Sequence, residues 1–136
     1  MAVLKGILRT LVVDDNEDFV RAVCGWIECE EGMIVVGTAE DGSAALREVD
    51  RLQPDLVFID VMMPVMDGVE ATRRIKERPH APAVVLITMH DAEAVREHAL
   101  LAGADAILSK RELGDALAPL VRSLRRDRDL SGSRDS

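Results

Sequence analysis

Five short apolar runs recur along the chain, at 7–13 (ILRTLVV), 33–37 (MIVVG), 56–59 (LVFI), 83–87 (AVVLI) and 105–108 (DAIL), and each is followed by a segment with helical periodicity. No other feature limits the fold so strongly. Runs that are largely apolar need cover on both faces, as strands of a parallel sheet have. The intervening segments supply that cover. Phe19, Ala22, Val23, Trp26 and Ile27 recur at i, i+3, i+4, i+7 and i+8, and Ala45, Leu46, Val49 and Leu52 mark a second apolar stripe. Asp67 with Glu70 three residues on reads as a capping box opening a third helix, with Pro79 just past its end. Asp91 is placed to cap a fourth helix, which Gly103 stops. Leu113, Ala116, Leu117, Leu120, Val121 and Leu124 make the fifth stripe. Strand and helix in strict alternation imply right-handed crossovers and an α/β domain whose five-stranded parallel sheet is doubly wound, with helices on both faces.

Composition fits that reading. The core must be aliphatic, because only Phe19, Trp26 and Phe58 are aromatic. The net charge of −8 repels a phosphate backbone, so no nucleic acid is expected to bind this segment alone. Lys5 and Arg9 interrupt the first apolar stretch, which reads as neither leader nor anchor, and no run suits a membrane helix. Cys24 and Cys29 lack metal-ligand spacing and read as reduced, structural thiols of a cytoplasmic protein. The chain divides into a domain at 1–124 and, from about Arg125, a polar tail or linker at 125–136.

In such a fold ligands bind beyond the carboxyl ends of the strands. Asp14 and Asp15 end the first run, Asp60 the third, Thr88 the fourth, and Lys110 follows Ser109 after the fifth. Each has an innocent role available: Asp14 or Asp15 could cap the first helix, Asp60 a turn, Thr88 a loop amide, and Lys110 could be a solvated charge. Together they are harder to dismiss. Carboxylates converging on one rim repel each other, and a hard divalent cation such as Mg2+ removes the conflict. With a lysine alongside, the set suits phosphoryl transfer, in which a carboxylate can attack phosphorus.

The motifs VVDD (12–15), DVMMPVMDG (60–68), LITMHD (86–91) and GADAILSK (103–110) resemble the receiver domain of two-component response regulators, over about residues 5–124. MHD after Thr88, TRR at 72–74 and a Lys not followed by Pro look most like the NarL/FixJ-type branch, whose receivers usually precede a DNA-binding helix-turn-helix. The resemblance implies a flavodoxin-like strand order 2-1-3-4-5. It implies Asp60 as phospho-acceptor, and a metal site of Asp14, Asp15, Asp60 and the Met62 backbone carbonyl holding Mg2+, or Mn2+ in its place. Asp15 would bind the metal directly and Asp14 mainly through water. Thr88 and Lys110 would hold phosphoryl oxygens, and Pro64 and Gly68 would shape the intervening loop. The implied partners are a sensor histidine kinase or phosphotransfer protein and a second copy in a homodimer. The implied activity is that of a regulator that promotes its own phosphorylation and dephosphorylation, not of an enzyme with a separate substrate.

Two positions depart from the family. Ile107 stands where a Tyr or Phe is usual, three residues before the Lys, so the inward swing of that aromatic must be altered here. Pro119 interrupts the fifth stripe and is expected to kink or break the helix within a turn. Both fall on the surface of the fourth and fifth helices, which receivers commonly use for output, so an interaction module not regulated by phosphorylation stays open as the alternative. A small-molecule phosphatase with an aspartate nucleophile is disfavoured, because Met62 occupies the usual general-acid position, and a flavodoxin-like cofactor binder is disfavoured because DDNED would repel phosphate. His80, His90 and His98 share no ligand spacing. Met62, Met63 and Met66 read as loop packing, and Val20 as an exposed residue beside Asn16 and Glu17 where a kinase could dock.

Overall fold

The structure is a computed structural model that describes residues 6–89 and 91–135, with side chains described as far as 126. Strands β1 (Leu8–Val13), β2 (Met33–Ala39), β3 (Leu56–Asp60), β4 (Ala83–Thr88) and β5 (Ala106–Ser109) alternate with helices α1 (Glu17–Glu28), α2 (Gly42–Leu52), α3 (Gly68–Lys76), α4 (Ala92–Leu101) and α5 (Lys110–Asp135). All strand pairs are parallel, in the order β2-β1-β3-β4-β5. The expected sheet and strand order are both present. Among the described residues no helix is long and apolar enough to cross a membrane.

Strand alternation splits the core into two layers. Leu11, Val13, Val57, Ile59, Val84, Leu86 and Ile107 face Ala45, Val49, Ala71, Ile75 and Ala99 of α2, α3 and α4. Leu8, Val12, Leu56, Phe58, Val85 and Ile87 face Val23 and Ile27 of α1 and Leu113, Leu117 and Val121 of α5. Every residue of β3 is buried, as a central parallel strand requires. Burying each such Leu, Ile or Val side chain stabilises the fold by about 1.5–3 kcal/mol before ordering costs. β1 and β3 are neighbours while their sequence successors run to opposite sides, so the order reverses between them. A crevice therefore opens where these two strands end, at Asp14 and Asp60.

Three local expectations need correction. The buried arc of α1 is Val23 and Ile27 with Phe19, Val20 and Cys24 packed beside them, whereas Trp26 is 39% exposed, so Val20 is partly buried against the core and not on an open docking surface. Pro119 does not break α5, which continues through it. Pro119 and Asp115 are both exposed, so the Asp115 carbonyl that loses its bond is left to solvent, not to the core. Nor does α5 end with its apolar stripe: the polar stretch from Arg125 is helical to Asp135, since propagating an established helix costs less than nucleating one.

Candidate functional site

Loop geometry behind β1 and β3 aims two carboxylates inward in the same way. Asp14, 3% exposed, accepts the Asn16 N–H on Oδ1 at 2.9 Å, and Asp60, 6% exposed, takes the Met62 N–H on Oδ1 at a longer 3.4 Å. In both, the side chain binds the amide two residues on, which turns the other oxygen toward the crevice. Neither Asp14 nor Asp15 caps α1. Asn16 does, its side chain accepting from the Phe19 N–H, which frees both aspartates from that role.

Lys110 meets these oxygens. Its Nζ lies 2.7 Å from Asp14 Oδ2 and 3.7 Å from Asp60 Oδ2, and its side chain is only 11% exposed. Its placement comes from a motif that strand-end reasoning passes over. Ser109 Oγ accepts the Glu112 N–H at 3.2 Å and Glu112 Oε1 accepts the Ser109 N–H at 3.1 Å, a reciprocal capping box that starts α5 directly on the end of β5. Lys110 is thereby fixed in the first turn of that helix. On its other side, Nζ sits 4.2 Å from the centroid of the Phe19 ring.

Exposed Asp15 completes a group of three carboxylates, with Asp14 and Asp60, that each offer one oxygen within 4.8 Å of the others. Burial pushes the Asp60 carboxyl up to about 6, the neighbouring Asp14 charge acts in the same direction, and Lys110 and the Met62 N–H oppose them. One further observation suits a cation: Asp14 Oδ2 is buried and accepts no well-aligned hydrogen bond among the described residues, its close contact being the Lys110 ion pair. A set of three carboxylate oxygens fits a hard divalent ion, so the cluster could hold a metal.

Thr88, 2% exposed, ends β4 one residue beyond Ile87, the partner of Asp60 in the ladder, and pairs with Ser109 across to β5. Met62 contributes its backbone to the loop while its side chain is 67% exposed. His90 lies outside the described residues. His98 is exposed on α4, and His80 lies beyond α3, near the amino-terminal end of β4 and away from the crevice. Ile107 is buried against the α4 layer and lines a broad cleft of about 680 Å³ with Met89, Arg96 and Glu112. Cys24 and Cys29 are free thiols, and burial raises the Cys24 pKa.

The loop after Asp60 turns tightly at Val65, whose φ of 71° is unusual for a β-branched residue, and the Met66 N–H bonds the Pro64 carbonyl across it at 2.8 Å. The left-handed conformation costs an L-residue about 1–2 kcal/mol. Val65 is 83% exposed, so removing its side chain sacrifices little packing. Val65→Gly should stabilise the protein by about 0.5–1 kcal/mol, the remainder being lost to the freer unfolded chain. A raised urea midpoint at unchanged slope would show it; a lowered midpoint would mean that the turn is unstrained.

A doubly wound sheet with an acidic crevice at its strand-order reversal and a lysine beside it defines an α/β protein whose cluster of three carboxylates could hold a metal. Comparison with known proteins names the family. The model of the response regulator receiver domain matches residues 10–122. Transcriptional regulatory protein DegU of Brevibacillus brevis is 33% identical over 115 residues, covering 85% of this chain and 49% of that protein. Protein-glutamate methylesterase/protein-glutamine glutaminase 2 of Koribacter versatilis is 35% identical over 112 residues, covering 81% and 31%. The signal receiver domain of the response regulator NarL from Mycobacterium tuberculosis superposes with a TM-score of 0.76 at 31% identity, covering 85% of this chain and 97% of that one. The chain belongs to the response regulator receiver domain family, and it spans half or less of the length of these two curated relatives.

Proposed function

We propose that this receiver takes a phosphoryl group from a sensor histidine kinase or phosphotransfer protein onto Asp60 and thereby switches a protein interface. The observation that carries the reading is the convergence of Asp14, Asp15 and Asp60 within 4.8 Å with Lys110 Nζ at 2.7 and 3.7 Å from the two buried members. An Asp60 carboxylate oxygen attacks phosphorus, the bond from phosphorus to the donor imidazole nitrogen breaks, and the departing ring keeps that electron pair and takes a proton. Asp14, Asp15, Asp60 and the Met62 carbonyl are the residues to hold Mg2+, or Mn2+ in its place. Bound there, the ion would offset the repulsion between an anionic nucleophile and an anionic phosphoryl group. Lys110 shares that task, leaving Asp14 for a phosphoryl oxygen, and Thr88 donates its hydroxyl to another.

The protein acts on itself in this scheme: it is a regulator that promotes its own phosphorylation and dephosphorylation, in the cytoplasm, with residues 1–124 as the receiver and 125–136 as the connection onward. Output through an interface on α4, β5 and α5, as a homodimer or toward a DNA-binding unit on the same polypeptide, is consistent with similarity to DegU and NarL. The test is intact-mass measurement after incubation with acetyl phosphate. One phosphoryl group should be gained only with Mg2+ or Mn2+, and hydroxylamine should remove it, as it does an acyl phosphate. No metal-dependent gain would overturn the reading and leave an interaction module not regulated by phosphorylation.

A further inference from the structure

Only three aromatic residues occur in the whole chain, and two of them stand in line behind Lys110. Trp26 and Phe19 lie two turns apart on α1, meeting edge to face at 84° with centroids 6.4 Å apart, and the Phe19 ring lies against the Lys110 ammonium, its centroid 4.2 Å from Nζ. A cation within about 6 Å of a ring centroid is attracted by the negative face of the ring, and more strongly when water is kept away. Here water is largely excluded, since the Lys110 side chain is 11% exposed.

We propose that Phe19 is a positioning residue of the site, whose ring face holds the Lys110 ammonium at the mouth of the acidic crevice. Among the described residues, the other groups set against the Lys110 ammonium are its charge partners Asp14 and Asp60. These change during the cycle, because a metal entering the site competes with Lys110 for Asp14 and Asp60, and a phosphoryl group competes with those carboxylates for Lys110. Phe19 is the neighbour that does not change: it is uncharged, set on α1, and packed in the layer shared by α1 and α5. The contact joins the first helix to the last at a side chain that reaches both buried carboxylates. Its bearing on phosphorylation rests on the function proposed above; the contact itself does not.

Apolar packing around a lysine stem would also place a ring here, so the test must separate ring charge from ring bulk. Phe19 is replaced by mono-, di- and trifluorophenylalanine, which keep shape while draining the negative face, and the rate of phosphorylation by acetyl phosphate with saturating Mg2+ is followed. The rate should fall stepwise with fluorination, reaching roughly a three- to tenfold loss in Phe19→Leu. In a Lys110→Ala background the same series should be flat. A fluorination series without effect in wild type, or an equal effect in Lys110→Ala, would overturn the role of Phe19 while leaving the receiver reading intact. If the wild-type protein takes no phosphoryl group, the receiver reading fails, and the Lys110 methylene protons decide the contact alone. An upfield ring-current shift that vanishes in Phe19→Leu supports it, and an unchanged shift refutes it.

Discussion

Asp60→Asn is expected to abolish the metal-dependent gain of a phosphoryl group and, in the same protein, to raise the stability of the metal-free fold at pH 7 by about 1–3 kcal/mol. The two effects share one cause. Asp60 is a charge held in a buried crevice beside a second carboxylate, an arrangement that suits its proposed role as a nucleophile and is costly as a structural element. Its carboxyl is pushed up to about 6, whereas an unfolded aspartate titrates near 3.9. Between those values the folded protein binds the proton and the unfolded chain does not. Stability therefore falls as pH rises through this window, with no cost from this group below pH of about 4 and the full cost above about 6. Urea unfolding in a chelator should find the wild-type protein gaining stability from this group between pH 7 and 5, and the Asn variant lacking that gain. Glu70, held down to about 2 by its hydrogen bonds to Arg73 and Arg74, loses its contribution as pH falls through the unfolded value of about 4.3, but equally in both proteins, so the difference between them isolates Asp60. An Asn variant less stable than wild type at pH 7, or one that still takes up phosphoryl from acetyl phosphate, would remove Asp60 from its proposed position.

The fold was legible because its strands are short and mostly apolar, and because the residues at or just past their ends carry the polar chemistry. Asp14, Asp15, Asp60, Thr88 and Lys110 could each be placed at a strand end, and in a parallel sheet all strand ends share one edge. Local signals explain the partial failures. Of the expected stripe Phe19, Ala22, Val23, Trp26 and Ile27, the packed face keeps Phe19, Val23 and Ile27 but takes Val20 and Cys24 and leaves Trp26 39% exposed, a small rotation that only packing against β1, β2 and α5 selects. The Ser109 to Glu112 pattern is visible in the sequence, yet it competes with reading Ser109 as the end of a strand; both descriptions hold, since the capping box begins where the strand stops. Placement of Phe19 against Lys110 leaves no trace in the sequence, being a contact between residues 91 positions apart that exists only once α1 and α5 lie on the same face of the sheet. The left-handed turn at Val65 is likewise hidden, because Val gives no hint of a positive φ.

Gly68→Ala is expected to be the most damaging of the small substitutions near the site. A Cβ there would lie 2.1 Å from the Asp60 carbonyl oxygen, 2.8 Å from its carbon and 3.0 Å from the Val61 Cα. These are backbone atoms, so no side chain can turn aside to relieve the clash. The approach is close because the first residue of α3 docks on the end of β3: the Gly68 N–H bonds the Val61 carbonyl at 2.9 Å, and the buried Thr72 hydroxyl bonds the Gly68 carbonyl at 2.7 Å. Relief requires α3 to withdraw, opening its buried contacts through Ala71 and Ile75, or Asp60 to shift along β3. Overpacking of a well-filled core typically costs about 1–3 kcal/mol, and a clash with rigid backbone belongs at or above the top of that range. A loss of about 3 kcal/mol or more in urea unfolding is therefore expected. Because Asp60 itself is the atom group struck, the fraction that stays folded should also lose phosphorylation by acetyl phosphate. Gly114→Ala serves as the comparison, since a Cβ there meets nothing within 4 Å and the change should be neutral or slightly stabilising in mid-helix. If Gly68→Ala unfolds at the wild-type midpoint, α3 does not rest on the Asp60 backbone, and the proposed nucleophile is not held at the end of β3 by that helix.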